Sequence, residues 1–176
     1  SGIDDWNQDC RNGALIRDRL CGAGAALDLL VDRRLRSPIA EAGEKAIVFT
    51  SYKAMEDMIA RHVELQMGIF SATLDGRLPI EERQPLIDRF SAIEGPAVLV
   101  LNPKAGAAGL NITAATHVIH YNLEWNPALE DQASARAHRR GQTRPVTVRR
   151  LYCVDTVEDA VNDRVQSKRV IADTAI

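Results

Sequence analysis

The residues of this 176-residue chain whose types and spacing could do chemistry are concentrated between Leu101 and Gln142. Lys104-Ala105-Gly106-Ala107-Ala108-Gly109-Leu110-Asn111 directly follows the apolar run Ala97 to Leu101. Small residues at that place let backbone N–H groups approach a phosphate, because open α/β sheets bind ligands at the carboxyl ends of their strands. The loop is not GxGxxG, since Gly106 and Gly109 are only three apart, and no Gly-Lys-Ser/Thr occurs in the chain. By residue type it reads equally as a phosphate cradle or as a tight strand-to-helix turn.

Gln132 to Gln142 reads QASARAHRRGQ. Arg136 and Arg139 are three apart, so on a helix both guanidinium groups point to one side. A planar guanidinium holds phosphate oxygens through two hydrogen bonds and offsets the charge that builds up in phosphoryl transfer. The alternative is a solvated basic helix end, and the same choice applies to His138. Other candidates carry less. His117 and His120 lie three apart on a predicted strand, so they face opposite sides of the sheet and cannot share one metal. Cys10, Cys21 and Cys153 are odd in number and form no CxxC, which argues against a disulfide framework and a zinc site and favours a reduced, cytoplasmic setting. Cys153 reads as a small buried hydrophobe, and Trp6 has no assigned role.

These residues need elements to position them. Leu27, Leu30, Val31 and Leu35 repeat at helical spacing after Gly22 and Gly24, and Ser37-Pro38 is expected to end that helix. Ala46 to Phe49 is a continuous apolar run, as in a strand buried on both faces. Met55, Met58, Ile59, His62 and Leu65 form the stripe of a covering helix. Strand-like segments recur at Ile69 to Leu74, Ala97 to Leu101, His117 to Tyr121 and Val146 to Tyr152. Between them lie a helix through Ile87 and Phe90, expected to start late or irregularly because of Pro85, and a helix from Pro127 to His138. A last helix begins at Thr156, with Asp155 and Glu158 at capping-box spacing and Val157, Ala160, Val161 and Val165 as its stripe. The alternation predicts an α/β domain with a parallel sheet and helices on both faces.

Composition agrees. With 45% hydrophobic and 26% charged residues the chain should form a packed core rather than stay disordered. No apolar run approaches the roughly 20 residues of a membrane helix. A net charge of −2 gives no global reason to meet a polyanion, yet Arg136, Arg139, Arg140, Arg144, Arg149 and Arg150 crowd one stretch, so a phosphate-binding surface can be local. The start at Ser1-Gly2-Ile3-Asp4-Asp5, without Met or signal-peptide character, leads us to expect a fragment of a longer protein.

Taken together, AIVFTSY (Ala46 to Tyr52), LDGRLPIEERQ (Leu74 to Gln84), KAGAAGLNITAATHVI (Lys104 to Ile119), EWNP (Glu124 to Pro127) and QASARAHRRGQTRPV (Gln132 to Val146) resemble the C-terminal RecA-like lobe of Swi/Snf-type ATPases. These are helicase-related motors that translocate on double-stranded DNA. The resemblance implies a polar N-terminal segment over 1–22, a RecA-like lobe over 23–154 and a C-terminal brace helix over 155–176. It implies that Arg136 and Arg139 are arginine fingers, and that Gly109, Asn111 and Gln132 lie near the nucleotide. Lys104 is implied to touch the DNA backbone, Trp125 the tracked strand, and Thr50 and Ser51 the DNA-facing loop. Trp125 read from its surroundings alone could equally pack under the following helix. ATP with Mg²⁺ would sit against an N-terminal RecA-like lobe that carries the Walker lysine and the metal ligands, so this fragment alone should not hydrolyse ATP. Implied partners are double-stranded DNA and that other lobe, with no membrane, in the cytoplasm, at the nucleoid of a bacterium or in a nucleus. The chain departs from the family at Asn102-Pro103, where Ser-Thr or Ser-Leu is usual, at Ala107 in place of Gly, and at Asn122 in place of Asp. The rival readings are a lobe of a strand-separating DNA or RNA helicase and a non-catalytic binding module.

Overall fold

Two segments in which every residue is apolar, Ala46 to Phe49 and Ala97 to Leu101, can face water on neither side, and they lie next to each other inside a parallel sheet. The computed structural model describes residues 30–104, 109–138 and 142–151, with 160, 163, 164 and 167. In chain order its elements are α1 (Leu30–Glu41), β1 (Lys45–Phe49), α2 (Lys53–Met67), β2 (Phe70–Leu74), α3 (Ile80–Ala92), β3 (Ala97–Leu101), β4 (His117–His120), α4 (Pro127–Ser134) and β5 (Thr147–Arg150). The strands form one sheet in the order β2-β3-β1-β4-β5, and every neighbouring pair is parallel.

Strand alternation sorts the core into two layers. Ile47, Phe49, Leu99, Leu101 and Val118 pack on one face with Ile87 and Phe90 of α3, Ala133 of α4, and Leu110, Ile112 and Ala115. Ala46, Val48, Val98, Val100 and Ile119 pack on the other with Leu35 and Ile39 of α1 and Ile59 and Val63 of α2. The result is the expected RecA-like arrangement of helices on both faces of a parallel sheet. His117 and His120 do fall on opposite faces. His120 stacks on Phe49 at 5.4 Å and hydrogen-bonds Ser134, whereas His117 meets Glu44 and Arg149. The brace helix expected from 155 onward lies outside the described residues apart from 160, 163, 164 and 167.

Several boundaries differ from those read in the sequence. Neither proline interrupts its helix. α1 continues through Pro38 to Glu41 in wide i→i+5 turns; such turns carry the carbonyl that a proline ring would strike in an α-helix away from it, and Leu35 and Ile39 on either side are fully buried. α3 begins at Ile80, before Pro85, with Glu81 and Glu82 favourably placed in its first turn. Burial of Ile87 and Phe90 beyond the proline outweighs the lost hydrogen bond. Of the stripe read for α2, Ile59 is buried and Met55 packs against the same core, whereas Met58 and Leu65 are exposed and Glu56 and Val63 take buried places instead. α4 stops at Ser134, short of His138, and β5 spans only Thr147–Arg150. α2 itself ends at Gly68, whose φ of 63° and N–H bond to the Glu64 carbonyl (2.9 Å) reverse the chain into β2.

One ion pair sits wholly inside. Arg150 and Glu130 are each 1% exposed, with Arg150 Nε 2.8 Å from Glu130 Oε2 and Nη2 donating to Oε1 at 3.2 Å. Removing one partner strands the other charge, so Arg150→Ala should cost about 3–5 kcal/mol, read as a lower urea midpoint.

A second polar cluster is pH-sensitive. Arg149 Nη1 donates to His117 Nδ1 at 3.0 Å, so the ring carries its proton on Nε2 and donates to Glu44 Oε2 at 2.5 Å. Burial, with Arg149 adding to it, holds the His117 pKa below its usual 6.5. Burial works to raise Glu44, but hydrogen bonds from Thr116 and His117 outweigh it and hold Glu44 below 4.5. In both cases the unfolded chain binds the proton more readily, so this stability is present above the unfolded pKa and lost as pH falls. Denaturation midpoints should therefore fall between pH 7.5 and 5.5 through His117, and His117→Asn should flatten that part of the profile.

Candidate nucleic-acid and nucleotide interface

β1 has β3 on one side and β4 on the other, so the order of strands reverses there and the loops leaving β1, β3 and β4 meet in one crevice. Side chains tie these loops together. Thr50, fully buried after β1, donates from Oγ1 to Asn122 Oδ1 at 2.8 Å, and the Ser51 N–H donates to the same oxygen at 3.1 Å. Ser51 Oγ donates to Glu124 Oε1. Asn102, after β3, donates to Glu56 Oε1 at 3.1 Å and accepts the Lys104 N–H at 3.0 Å. The two asparagines that depart from the family pattern thus hold the loops: Asn122 supplies the acceptor oxygen that an Asp would, and Asn102 shapes the turn that leaves Lys104 exposed.

Trp125 is 61% exposed, which sets aside its packing under α4. It is displayed by its neighbours. The Glu124 N–H donates to Glu130 Oε1 at 3.0 Å, and Asn126 caps α4 by accepting the Ala128 N–H at 3.1 Å, with Pro127 opening the helix. The buried Arg150–Glu130 pair therefore reaches through Glu124 to both Ser51 and the tryptophan loop.

The residues assigned to the nucleotide are distributed differently. Gly109, with φ of 68°, Asn111 and Gln132 are at the surface. Arg136 is 6% exposed, donating from Nη2 to the Pro103 carbonyl at 3.0 Å, with its guanidinium 5.7 Å from the Phe49 ring centre. The Ile112 N–H donates to the Arg136 carbonyl at 3.0 Å, joining the segment after Asn111 to the turn after α4. That turn is a correction to the helical spacing read through Arg136, because α4 ends at Ser134. Arg139 lies outside the described residues, as do 105–108 of the small-residue loop. Asn111, Gln132 and a guanidinium are donors suited to one flank of a triphosphate. Among the described residues no group of three or more His, Cys, Asp or Glu could hold a metal ion.

Several contributors were not read as site residues in the sequence. Gln142 donates to the Thr113 and Ala115 carbonyls at 2.9 and 3.0 Å, pinning the end of the arginine-rich segment to the loop before β4. A cavity of about 390 Å³ opens at the end of β3, lined by Lys53, Glu56, Asp75, Gly76, Arg77, Asn102 and Lys104. Asp75-Gly76-Arg77 is a local turn in which Arg77 N–H donates to Asp75 Oδ1 at 2.7 Å, and the same guanidinium holds Asp57 at 2.6 and 2.8 Å. The Asp-Gly step is a turn signal in the sequence. No spacing rule reveals that Glu56, on another element, lies beside it.

The helicase conserved C-terminal domain model matches residues 26–141. A putative ATP-dependent helicase/translocase of Bacillus subtilis, YwqA, is 39% identical over 157 residues, covering 89% of this chain and 17% of that protein. Helicase swr1 of Aspergillus fumigatus is 35% identical over 156 residues, 89% of this chain and 9% of its own length. The crystal structure of the C-terminal part of the Fun30 ATPase domain superimposes with a TM-score of 0.73 at 30% identity, covering 80% of this chain and 45% of that one. The chain thus spans less than a fifth of these curated relatives. Its sheet order, its matched motifs and these similarities agree: the chain belongs to the helicase conserved C-terminal domain family, as the C-terminal RecA-like lobe of a Swi/Snf-type ATPase.

Proposed function

We propose that this lobe is the second motor lobe of an ATP-dependent double-stranded DNA translocase or remodeller. Arg136 and Arg139 would serve as its arginine fingers, and Ser51, Lys104 and Trp125 as part of its DNA track, with the buried Thr50 fixing the loop that carries Ser51 rather than touching DNA itself. The observation that carries the reading is the shared anchoring of the two functions. Arg136 holds the Pro103 carbonyl, and the next residue is Lys104, whose N–H is fixed by Asn102. A shift of the turn that bears Arg136 therefore pulls on the loop that bears the DNA lysine. ATP would lie between this lobe and an N-terminal RecA-like lobe that supplies the phosphate loop and the Mg²⁺ ligands. When bound there, Mg²⁺ would neutralise the developing phosphate charge. Gly109, Asn111 and Gln132 would border the nucleotide from this side, and the fingers would meet charge that appears only as the bond to the γ-phosphate breaks. Closing and reopening of the cleft would ratchet the lobes along one strand. The relatives include bacterial and fungal proteins, so the location proposed follows the lineage, nucleoid or nucleus, rather than the cytoplasm as such.

In the two-lobe ATPase, Arg139→Ala should lower DNA-stimulated turnover by about 10³-fold or more with a smaller effect on ATP binding. Arg140→Ala should be tolerated, and this lobe alone should not hydrolyse ATP. Steady-state turnover against ATP concentration tests this, and an unchanged turnover number in Arg139→Ala overturns the finger assignment.

The track is tested separately. Lys104→Ala should weaken binding to all duplex sequences alike and make the salt dependence of log K shallower by about one unit of slope. Trp125→Ala should leave the melting temperature in place, as its exposure requires, while DNA stimulation and translocation fail. Full stimulation in both variants would remove this face from the track. Strand displacement by the two-lobe protein would replace translocation on duplex DNA with helicase action.

A further inference from the structure

Beneath the cavity at the end of β3 lies an acid that the motor reading does not use. Glu56, in the first turn of α2, is fully buried. Its Oε1 accepts from Asn102, and its buried Oε2 meets no hydrogen-bond donor among the described residues. The neighbouring carboxyl group is Asp75, also buried, whose oxygens accept from the Arg77 N–H at 2.7 Å and Arg77 Nε at 2.6 Å. Glu56 and Asp75 line the same cavity, and two buried carboxyl groups side by side are tolerated best with one proton between them. The surroundings decide who owns it. The Arg77 guanidinium keeps Asp75 ionised and holds its pKa down to about 2. Burial, and then the Asp75 carboxylate, push Glu56 up to about 7. Above this pair the cavity is cationic. Lys53 on α2 and Lys104 after β3 are exposed at its mouth, Arg77 lines it from the β2–α3 connection with Asp57 behind, and α2 opens without a side-chain cap.

We propose that this cavity seats a phosphate of the DNA backbone between Lys53 and Lys104, and that seating it is linked to the proton shared by Glu56 and Asp75. This rests on the DNA-track reading of Lys104. A phosphate over the pair adds negative charge beside Glu56 and so favours its protonated form. By linkage, protonated Glu56 favours the phosphate. DNA binding at this site therefore takes up a proton and weakens as pH rises.

The test is the affinity of the two-lobe ATPase for a short labelled duplex, by fluorescence anisotropy at constant ionic strength from pH 6 to 8.5. In the wild type the dissociation constant should rise about three- to tenfold between pH 6 and 8. Glu56→Gln keeps the hydrogen bonds of the protonated acid, its amide donating to Asp75 and its carbonyl accepting from Asn102. It should bind at pH 8 as the wild type does at pH 6, without that slope. Calorimetry of the wild type at pH 7 in buffers of different ionisation enthalpy gives a second reading that needs no variant to fold: a fraction of a proton should be taken up on binding, and none by Glu56→Gln. No uptake by the wild type, or a pH slope retained in Glu56→Gln, overturns the linkage. Lys53→Ala and Lys104→Ala separate the two levels. If both bind DNA as the wild type does, the track itself is elsewhere; if they bind more weakly while the proton effect is missing, only the linkage falls.

Discussion

Because β1 is flanked by β3 on one edge and β4 on the other, the chain must cross over β1 between those two strands, and the loops leaving all three are forced into a single crevice at the carboxyl end of the sheet. The crevice needs side chains that can bridge loops of different strands, and short polar residues supply them: Thr50 and Ser51 after β1, Asn102 after β3, Asn122 after β4. The apolar strands behind them, buried on both faces, leave the sheet no alternative register that keeps Ile47, Phe49, Leu99 and Leu101 on one face and Val48, Val98 and Val100 on the other.

Buried charge extends this arrangement to the rim. Arg150 ends β5 and Glu130 lies on α4, and each would be costly inside without the other. Together they leave one carboxylate oxygen able to accept the Glu124 N–H as well, so a pair deep in the sheet sets the entry of the loop on which Trp125 is displayed. Such a pair adds little net stability over an apolar replacement. What it provides is a fixed geometry between the last strand, the last described helix of the core and the loop after β4.

The same economy links the two flanks of the site. Arg136 is drawn inward over Phe49 and onto the Pro103 carbonyl, Ile112 N–H meets the Arg136 carbonyl, and Gln142 holds the Thr113 and Ala115 carbonyls. Pro103 after β3, the segment from Ile112 to Ala115 before β4, and Arg136 and Gln142 are thus joined by hydrogen bonds. A packed, hydrogen-bonded unit of this kind moves as a whole rather than deforming.

Much of this was legible in the sequence. Continuous apolar runs gave away β1 and β3, alternation with helical stripes gave the α/β class, and the ordered motifs from Ala46 to Val146 marked the family, because each depends on residue type at short range. Helix limits at Pro38 and Pro85 were not, since the cost of a proline is local while the burial of Ile39, Ile87 and Phe90 that overrides it comes from the sheet. Part of the α2 stripe was missed for a related reason: Glu56 takes a place on its buried face that a hydrophobic reading assigns to apolar residues, and its partner Asn102 comes from the loop after β3. Sequence determined which segments would be strands and to which family the chain belongs; tertiary structure decided which polar residues meet, because hydrogen bonds between loops of strands distant in sequence depend on strand order, which no local spacing encodes.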